Sequence, residues 1–418
     1  MRLGEVANEA ALGNGRPLDG VRVLALEQMQ ALPFATQLLA RLGADVVKVE
    51  HPADGDLGRG AMPAMTDPAG RRVGATFLRN NLNKRSVGID LKDPRGRDLV
   101  LRLAGESDVV AENFKAGALA RLGLGYAEVA AAHPSVIYLS LSGFGAEPSP
   151  YDGWPAFAPT VEAMSGIYEF KRRGDEPPVV APAGALGDIG TGLFATIGVL
   201  AALRHRDRTG RGQHVDVAMY DSLIALTDLV TNFWSMGLRD KATPLIMDGF
   251  RASDGWFVVQ VGRPYQFQRL AELVGRQEWI DDERLQTGPQ WREHLEAVLR
   301  PGIEAWAADR TKLEAAQLLT AAGVAAGPCN DAADVIDDPH VATRHMLVEI
   351  PRTDDVVDPV LVPGNPVKLS DVAEGPDRRP PWLGEHTSDV LAGLLGLSDD
   401  ELDELADAGV ISPPSPAR

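Results

Sequence analysis

The chain has 418 residues, too many for one ordinary core, so two domains of unequal size are expected. Hydrophobic residues make up 44% and charged residues 24%, the balance of a soluble globular protein. Lys and Arg number 41 against 59 Asp and Glu, and the net charge of −18 repels phosphodiester backbones. That argues against nucleic-acid binding while leaving room for a local basic pocket for one anionic ligand.

The single cysteine, Cys329, permits no intrachain disulfide and fits a reducing cytoplasm. The opening residues lack the basic-then-apolar order of a signal peptide and read as a polar tail. No apolar run approaches the ~18 residues of a membrane span. The longest, GTGLFATIGVLAAL at 190–203, stops at Arg204-His205-Arg206 and reads as a buried helix.

In chain order, VRVLAL (21–26) is a β-branched run with the look of a buried parallel strand. A helix at 31–44 and a strand DVVKVE (45–50) complete a βαβ unit. SVGIDL (86–91), a helix at 94–107 opening on Pro94, DVVAENF (108–114) and SVIYLSLSGFG (135–145) continue the alternation. A short helix is expected at 159–170 and an apolar one from about 190. HVDVAMYDSLIALTDLVTNFWSMG (214–237) begins as a strand and becomes a long helix. GWFVVQV (255–261) and the amphipathic helices of 264–322 have a different character. The expected layout is therefore α/β. It comprises a polar extension over 1–16, a Rossmann-like large domain with a mainly parallel sheet over 17–239, a smaller α+β domain over 240–330, and a Pro-rich segment, 331–418, returning to the large domain.

Several chemistries lack their residues. The eight histidines are scattered, with no HExxH, CxxC or EF-hand spacing, so no metal site is expected. There is no Walker loop and no GxSxG elbow. The turn after the first strand, EQMQALP, lacks the glycines of a dinucleotide fingerprint. The segment richest in chemistry is GALGDIGTGLFATIGVLAAL (184–203), where glycines surround Asp188 ahead of an apolar helix. Gly187, Gly190 and Gly192 would let a bulky substrate approach the carboxylate, and helix N-terminal amides would keep it ionised. Asp is equally a favoured helix N-cap, and locally that reading is the stronger.

The wider sequence changes the balance. PLDGVRVLALEQMQALPFATQLLARLGADVVKVEHPADGDLGRG resembles the opening of the class III CoA-transferases, the CaiB/BaiF family. NKRSVGIDLKDPRGRDLVLRLAGESDVVAENFKAGALARLG, GDIGTGLFATIGVLAALRHRDRTGRGQHVDVAMYDSL, GPCND and LGEHT resemble it too, in the same order, from about residue 17 to 390. The resemblance implies an enzyme that moves CoA from an acyl-CoA thioester to a carboxylic acid, with no permanently bound cofactor. Asp188 would be the nucleophile, passing through an aspartyl mixed anhydride and an aspartyl-CoA thioester, with Gln30 beside it and Gly190 and Gly192 stabilising oxyanions. It implies that 17–239 binds CoA through His51, Arg59, Ile89, Lys92, Asn113, Phe114 and Arg121. It also implies a homodimer of two interlocked ring-like chains.

Departures from the family pattern bear on specificity. The family's racemases have a His where Phe157 stands, which disfavours an α-methylacyl-CoA racemase or epimerase, the nearest alternative enzyme. A non-catalytic CoA-ester-binding homologue would have no need of Asp188. Many transferases have an acidic residue at the position of Ala158, and the basic residue after the second strand is His51 here. The glycine-run loop of oxalate-using members is not evident around 238–255.

Overall fold

The computed structural model describes residues 1–171, 175–181, 184–227, 230–237, 245–354 and 356–413, the side chains of residues 170 and 171 excepted. Met1–Asn232 together with Ala342–Arg418 form one compact unit, and Phe233–Val341 form another. The sequence places these divisions at 239/240 and 330/331, 7 and 11 residues away.

In the first unit the β-branched runs become strands: β1 (Arg22–Leu26), β2 (Asp45–Glu50), β3 (Arg85–Gly88), β4 (Val109–Glu112), β5 (Ile137–Ser142) and β6 (Gln213–Ala218). All pair in parallel, in the order β3-β2-β1-β4-β5-β6. Alternate residues of one strand enter opposite cores. Val23 and Ala25 pack with Leu32, Leu39, Ala195 and Val199, whereas Leu24 and Leu26 pack with Leu99, Leu103, Val390 and Leu391. This double burial explains why the central strands β1 and β4 are apolar on both faces, whereas β2 also carries Lys48 and Glu50 into the interior and the edge strand β6 keeps polar residues.

The strand order, not the strand direction, reverses between β1 and β4, so a crevice opens beyond their carboxyl ends, where open parallel sheets bind ligands. The helices that matter to this crevice are α1 (Ala31–Arg41), α2 (Pro94–Gly105), α3 (Ala158–Met164), α4 (Leu186–Thr209) and α5 (Met219–Leu226). The helix expected over 159–170 is broken after α3 by Ser165-Gly166, with Gly166 at φ +85°, and resumes as Ile167–Lys171. The long helix expected after the strand at 214 is likewise interrupted. It consists of α5 and a separate helix, Val230–Ser235, with residues 228–229 outside those described.

Helix α4 is longer than the apolar run seen in the sequence. By length and its mean hydropathy of 1.7 it would suit a membrane span, but half of that window is buried within the fold. Of its other apolar side chains, Leu193, Phe194 and Ile197 are exposed.

The N-terminal residues are docked rather than loose. Asn8 Nδ2 donates to the carbonyls of Ser370 and Val372, and Ala7 bridges to Glu374. The C-terminal segment covers the β3 edge: His386 N–H donates to Ser86 O, and Ile411 bridges to Ile89.

The second unit has a three-stranded antiparallel sheet with Trp256–Val261 between Ile246–Arg251 and Ala325–Pro328. Phe257, Val259 and Val261 alternate inward onto Phe267, Leu270, Leu299, Ile303 and Leu319, an α+β arrangement with one covered sheet face.

Candidate active site

The turn after β1 is held from two sides. Asn113, immediately past β4, receives the Gln28 N–H on Oδ1 at 3.0 Å and donates Nδ2 to Gln28 O at 2.9 Å. Asp56 Oδ1 accepts the Met29 N–H at 2.8 Å, and Met29 itself lies at φ +65°, rare for a side chain with a Cβ. Gln30 then occupies the N-cap position of α1. The glycine-poor turn that excluded a pyrophosphate fingerprint thus presents a side-chain amide across the crevice.

Asp56 is itself anchored from below by Lys48 Nζ at 2.7 Å. Beside it Glu27 meets Lys84 Nζ at 2.6 Å and the Thr36 hydroxyl at 2.7 Å, all fully buried. Burial opposes ionisation of Glu27, but Lys84 and Lys48 together hold its carboxyl below the usual range. Charges satisfied so completely make a rigid floor.

Asp188 comes from the opposite side. It is the third residue of α4, not its cap; the cap position is Ala185, which makes no side-chain capping bond. The local N-cap expectation is therefore incorrect. Gln30 Nε2 lies 3.4 Å from Asp188 Oδ2, a long hydrogen bond. Burial, together with the negative charge of Glu162, pushes the Asp188 carboxyl up to about 6. Two neighbouring amides are committed elsewhere: the Gly187 N–H is spent on Glu162 Oε1 at 2.8 Å, and Ile189 donates to Ala185 O. Among the described residues the Asp188 N–H is the first-turn amide left without an acceptor.

The glycines have a different task from the one expected. Gly190 and Gly192 lie beyond the first turn, where each N–H donates to the carbonyl four residues back and cannot also serve an oxyanion. A Cβ on Gly192 would sit 2.7 Å from Ala31 O, and one on Gly190 would sit 2.2 Å from Leu226 Cδ1. These glycines let α4 lie close against α1 and α5. Gly187 similarly admits Ala158 of α3 at 3.1–3.2 Å. Ala158 is buried there, and Phe157 before it is 68% exposed.

The remaining expected positions separate. Asn113 and half-buried Phe114 stand at the crevice. Lys92, Arg121 and His51 are exposed, His51 Nδ1 accepting the Asp54 N–H at 3.3 Å. Ile89 is 1% exposed within the core, so its side chain has no free face for a ligand. Arg59 is turned inward: Nε and Nη2 each meet Glu50 at 2.7 Å, and the guanidinium lies 3.7 Å over the Phe77 ring. A phosphate cannot reach it there. The loop expected to lack a glycine run falls partly on residues 238–244, outside those described.

Two acidic residues were not singled out as site residues. Glu162 is one; Glu112, at the end of β4, is the other. Burial, with the charge of Asp216, pushes Glu112 up to about 7 against hydrogen bonds from Ser140 and the Phe114 N–H. Its signal was a carboxylate closing an otherwise apolar strand. Among the described residues no group of three or more His, Cys, Asp and Glu is placed to hold a metal ion.

Residues 18–387 match the family described as CoA-transferase family III. The chain belongs to that family. It is 34% identical over 404 residues to the succinyl-CoA–L-malate CoA-transferase beta subunit of Chloroflexus aurantiacus, covering 94% of this chain and 98% of the relative. It is 34% identical over 426 residues to the formyl-CoA:oxalate CoA-transferase of Streptomyces avermitilis, covering 95% and 100%. The structure of a CaiB/BaiF family protein from Brucella suis superposes with a TM-score of 0.81 at 35% identity, over 91% of this chain and all of that one. This class III CoA-transferase therefore acts on CoA thioesters and carboxylic acids, on the α/β fold described above.

Proposed function

We propose that Asp188 is the covalent nucleophile of this transferase. The observation that carries the reading is its position: a partly exposed carboxylate in the first turn of α4, beside the Gln30 amide and an unclaimed backbone N–H. The carboxylate attacks the donor thioester carbonyl and expels CoA thiolate, giving a mixed anhydride. Thiolate returns to the Asp188 carbonyl, releasing the donor acid and leaving an aspartyl-CoA thioester. An acceptor carboxylate attacks that thioester, and thiolate then attacks the acceptor's acyl carbonyl, so product acyl-CoA departs and Asp188 is regenerated. Each intermediate retains the activation of the thioester, so no ATP is consumed while water is excluded. Gln30 Nε2 and the free first-turn amide supply oxyanion donors in place of Gly190 and Gly192.

CoA lies in the crevice beyond β1 and β4, with Asn113 and Phe114 at its wall and Lys92, Arg121 and His51 near its phosphates; Arg59 and Ile89 leave this set. The relatives' names make succinyl-CoA and formyl-CoA the first donors, and malate and oxalate the first acceptors, to try. A homodimer, supported by the solvent-facing Leu193, Phe194 and Ile197 on a helix otherwise in the core, and a cytoplasmic location, supported by one unpaired exposed cysteine, complete the reading.

The test is covalent capture. Incubation with a productive acyl-CoA followed by hydroxylamine converts Asp188 to its hydroxamate, read by peptide mass spectrometry, and D188N shows neither adduct nor transfer. Turnover without modification of Asp188 would refute the mechanism.

A further inference from the structure

Glu162 is a carboxylate in the interior of the first unit, 2% exposed, with both oxygens occupied. Oε1 accepts the Gly187 N–H at 2.8 Å. Oε2 accepts the Tyr168 hydroxyl, which in turn accepts the Ala181 N–H at 3.0 Å. One side chain thus ties the approach to α4 and its first turn to α3. Neither bond is to a cation, so this carboxylate sits beside the reacting residue with no counter-charge bonded to it, an arrangement that costs stability.

Resting on the reading of Asp188 as nucleophile, we infer that Glu162 is its positioning residue, setting the first turn of α4 through the Gly187 N–H and placing a second carboxylate beside the reacting one. The groups facing Asp188 among the described residues are the neutral amide of Gln30 from α1 and the charge of Glu162 from α3. Tyr168, the titratable group against Glu162, is raised by burial and by that carboxylate and so stays a donor.

The charge acts on one side of the reaction only. Ionised Asp188 is repelled by Glu162; the anhydride and the aspartyl thioester are neutral at that position and are not. The repulsion is therefore relieved on acylation, which favours both covalent intermediates over the free enzyme and makes the carboxylate a more basic nucleophile. With Asp188 at about 6, most of it remains ionised at neutral pH, so reactivity rises without loss of the reactive form.

The test uses the full chain as wild type, E162Q, E162D and D188N. It reads the pH profile of kcat/KM for CoA transfer, and the fraction of Asp188 captured by hydroxylamine at steady state. E162Q keeps an acceptor for the Gly187 N–H and removes the charge: its acid limb moves down by roughly 0.5–1 unit and the captured fraction falls several-fold. E162D keeps the charge and withdraws the acceptor: its limb stays with wild type while kcat falls. An unmoved limb in folded E162Q, or the same downward shift in E162D, overturns the inference. D188N tests the underlying reading separately, since transfer by D188N would dismiss the nucleophile whatever the Glu162 variants do.

Discussion

Replacing Arg59 with methionine distinguishes a buried ion pair from a phosphate ligand. Arg59 meets Glu50 through two 2.7 Å bonds, with side chains 6% and 0% exposed. Glu50 also accepts the Ser86 hydroxyl at 2.6 Å and the Asp56 N–H at 2.9 Å, so it stays committed to the interior. Burial works to raise the Glu50 carboxyl, yet Arg59, aided by Lys48 and Ser86, holds it at about 2 against an ordinary 4.5. That difference corresponds to about 3 kcal/mol. Removing one partner of a buried pair costs about 3–5 kcal/mol by general experience, so the two routes agree. R59M is expected to lose about 3 kcal/mol at pH 7 in urea unfolding, with E50Q/R59M recovering part of it. The sign follows from the depressed carboxyl. The stabilisation is complete above pH 4.5 and is lost as pH falls through 2, so the gap between wild type and R59M narrows in acid. An R59M chain of unchanged stability with a raised KM for acyl-CoA would show that the guanidinium serves CoA after all.

Transfer by the wild type is expected to lose kcat/KM below about pH 6, tenfold per unit, as Asp188 protonates; an acid limb near 4 would contradict its burial. Because that carboxyl is raised, its stabilising effect is present below pH 3.8 and is lost as pH rises through 6. D188N should therefore unfold at a higher temperature than wild type at pH 7 while being inactive. G192A places a methyl 2.7 Å from Ala31 O and should destabilise by about 1–3 kcal/mol in thermal melts, with activity per folded molecule reduced as α1 and Gln30 shift. The proposed homodimer is tested by I197E, which charges the exposed face of α4 and should leave a monomer in sedimentation where wild type sediments as a dimer; a wild type that sediments as a monomer, or an I197E dimer, would refute pairing through this face.

The central strands were legible because burial on both faces leaves mainly β-branched and apolar runs, and their parallel order follows from the intervening helices. What the sequence concealed is the direction in which charged side chains turn. Lys48 and Glu50 alternate in DVVKVE with valines, a pattern that announces buried charge without naming Arg59 and Asp56 as the partners. Gly190 and Gly192 were legible as points of close approach, but not that a helix, rather than a substrate, makes the approach. Glu162 was visible on its helix, yet only folding brings it to the first turn of α4. The short hairpins, such as Ala64–Thr66 with Arg72–Gly74, lack the length to leave a periodic signal.

The covering of the β3 edge has a temporal side. Ser86 and the His386 that caps it are 300 residues apart. At synthesis rates of about 5–20 residues per second, the edge waits roughly 15–60 s for its cover on the ribosome. Through that interval the outer edge of β3, paired on its other side with β2, is open to wrong partners. Chains cut short before the Thr387–Leu395 helix should therefore collect in inclusion bodies even with every active-site residue already made, so that yield of soluble protein depends on a segment remote from the chemistry.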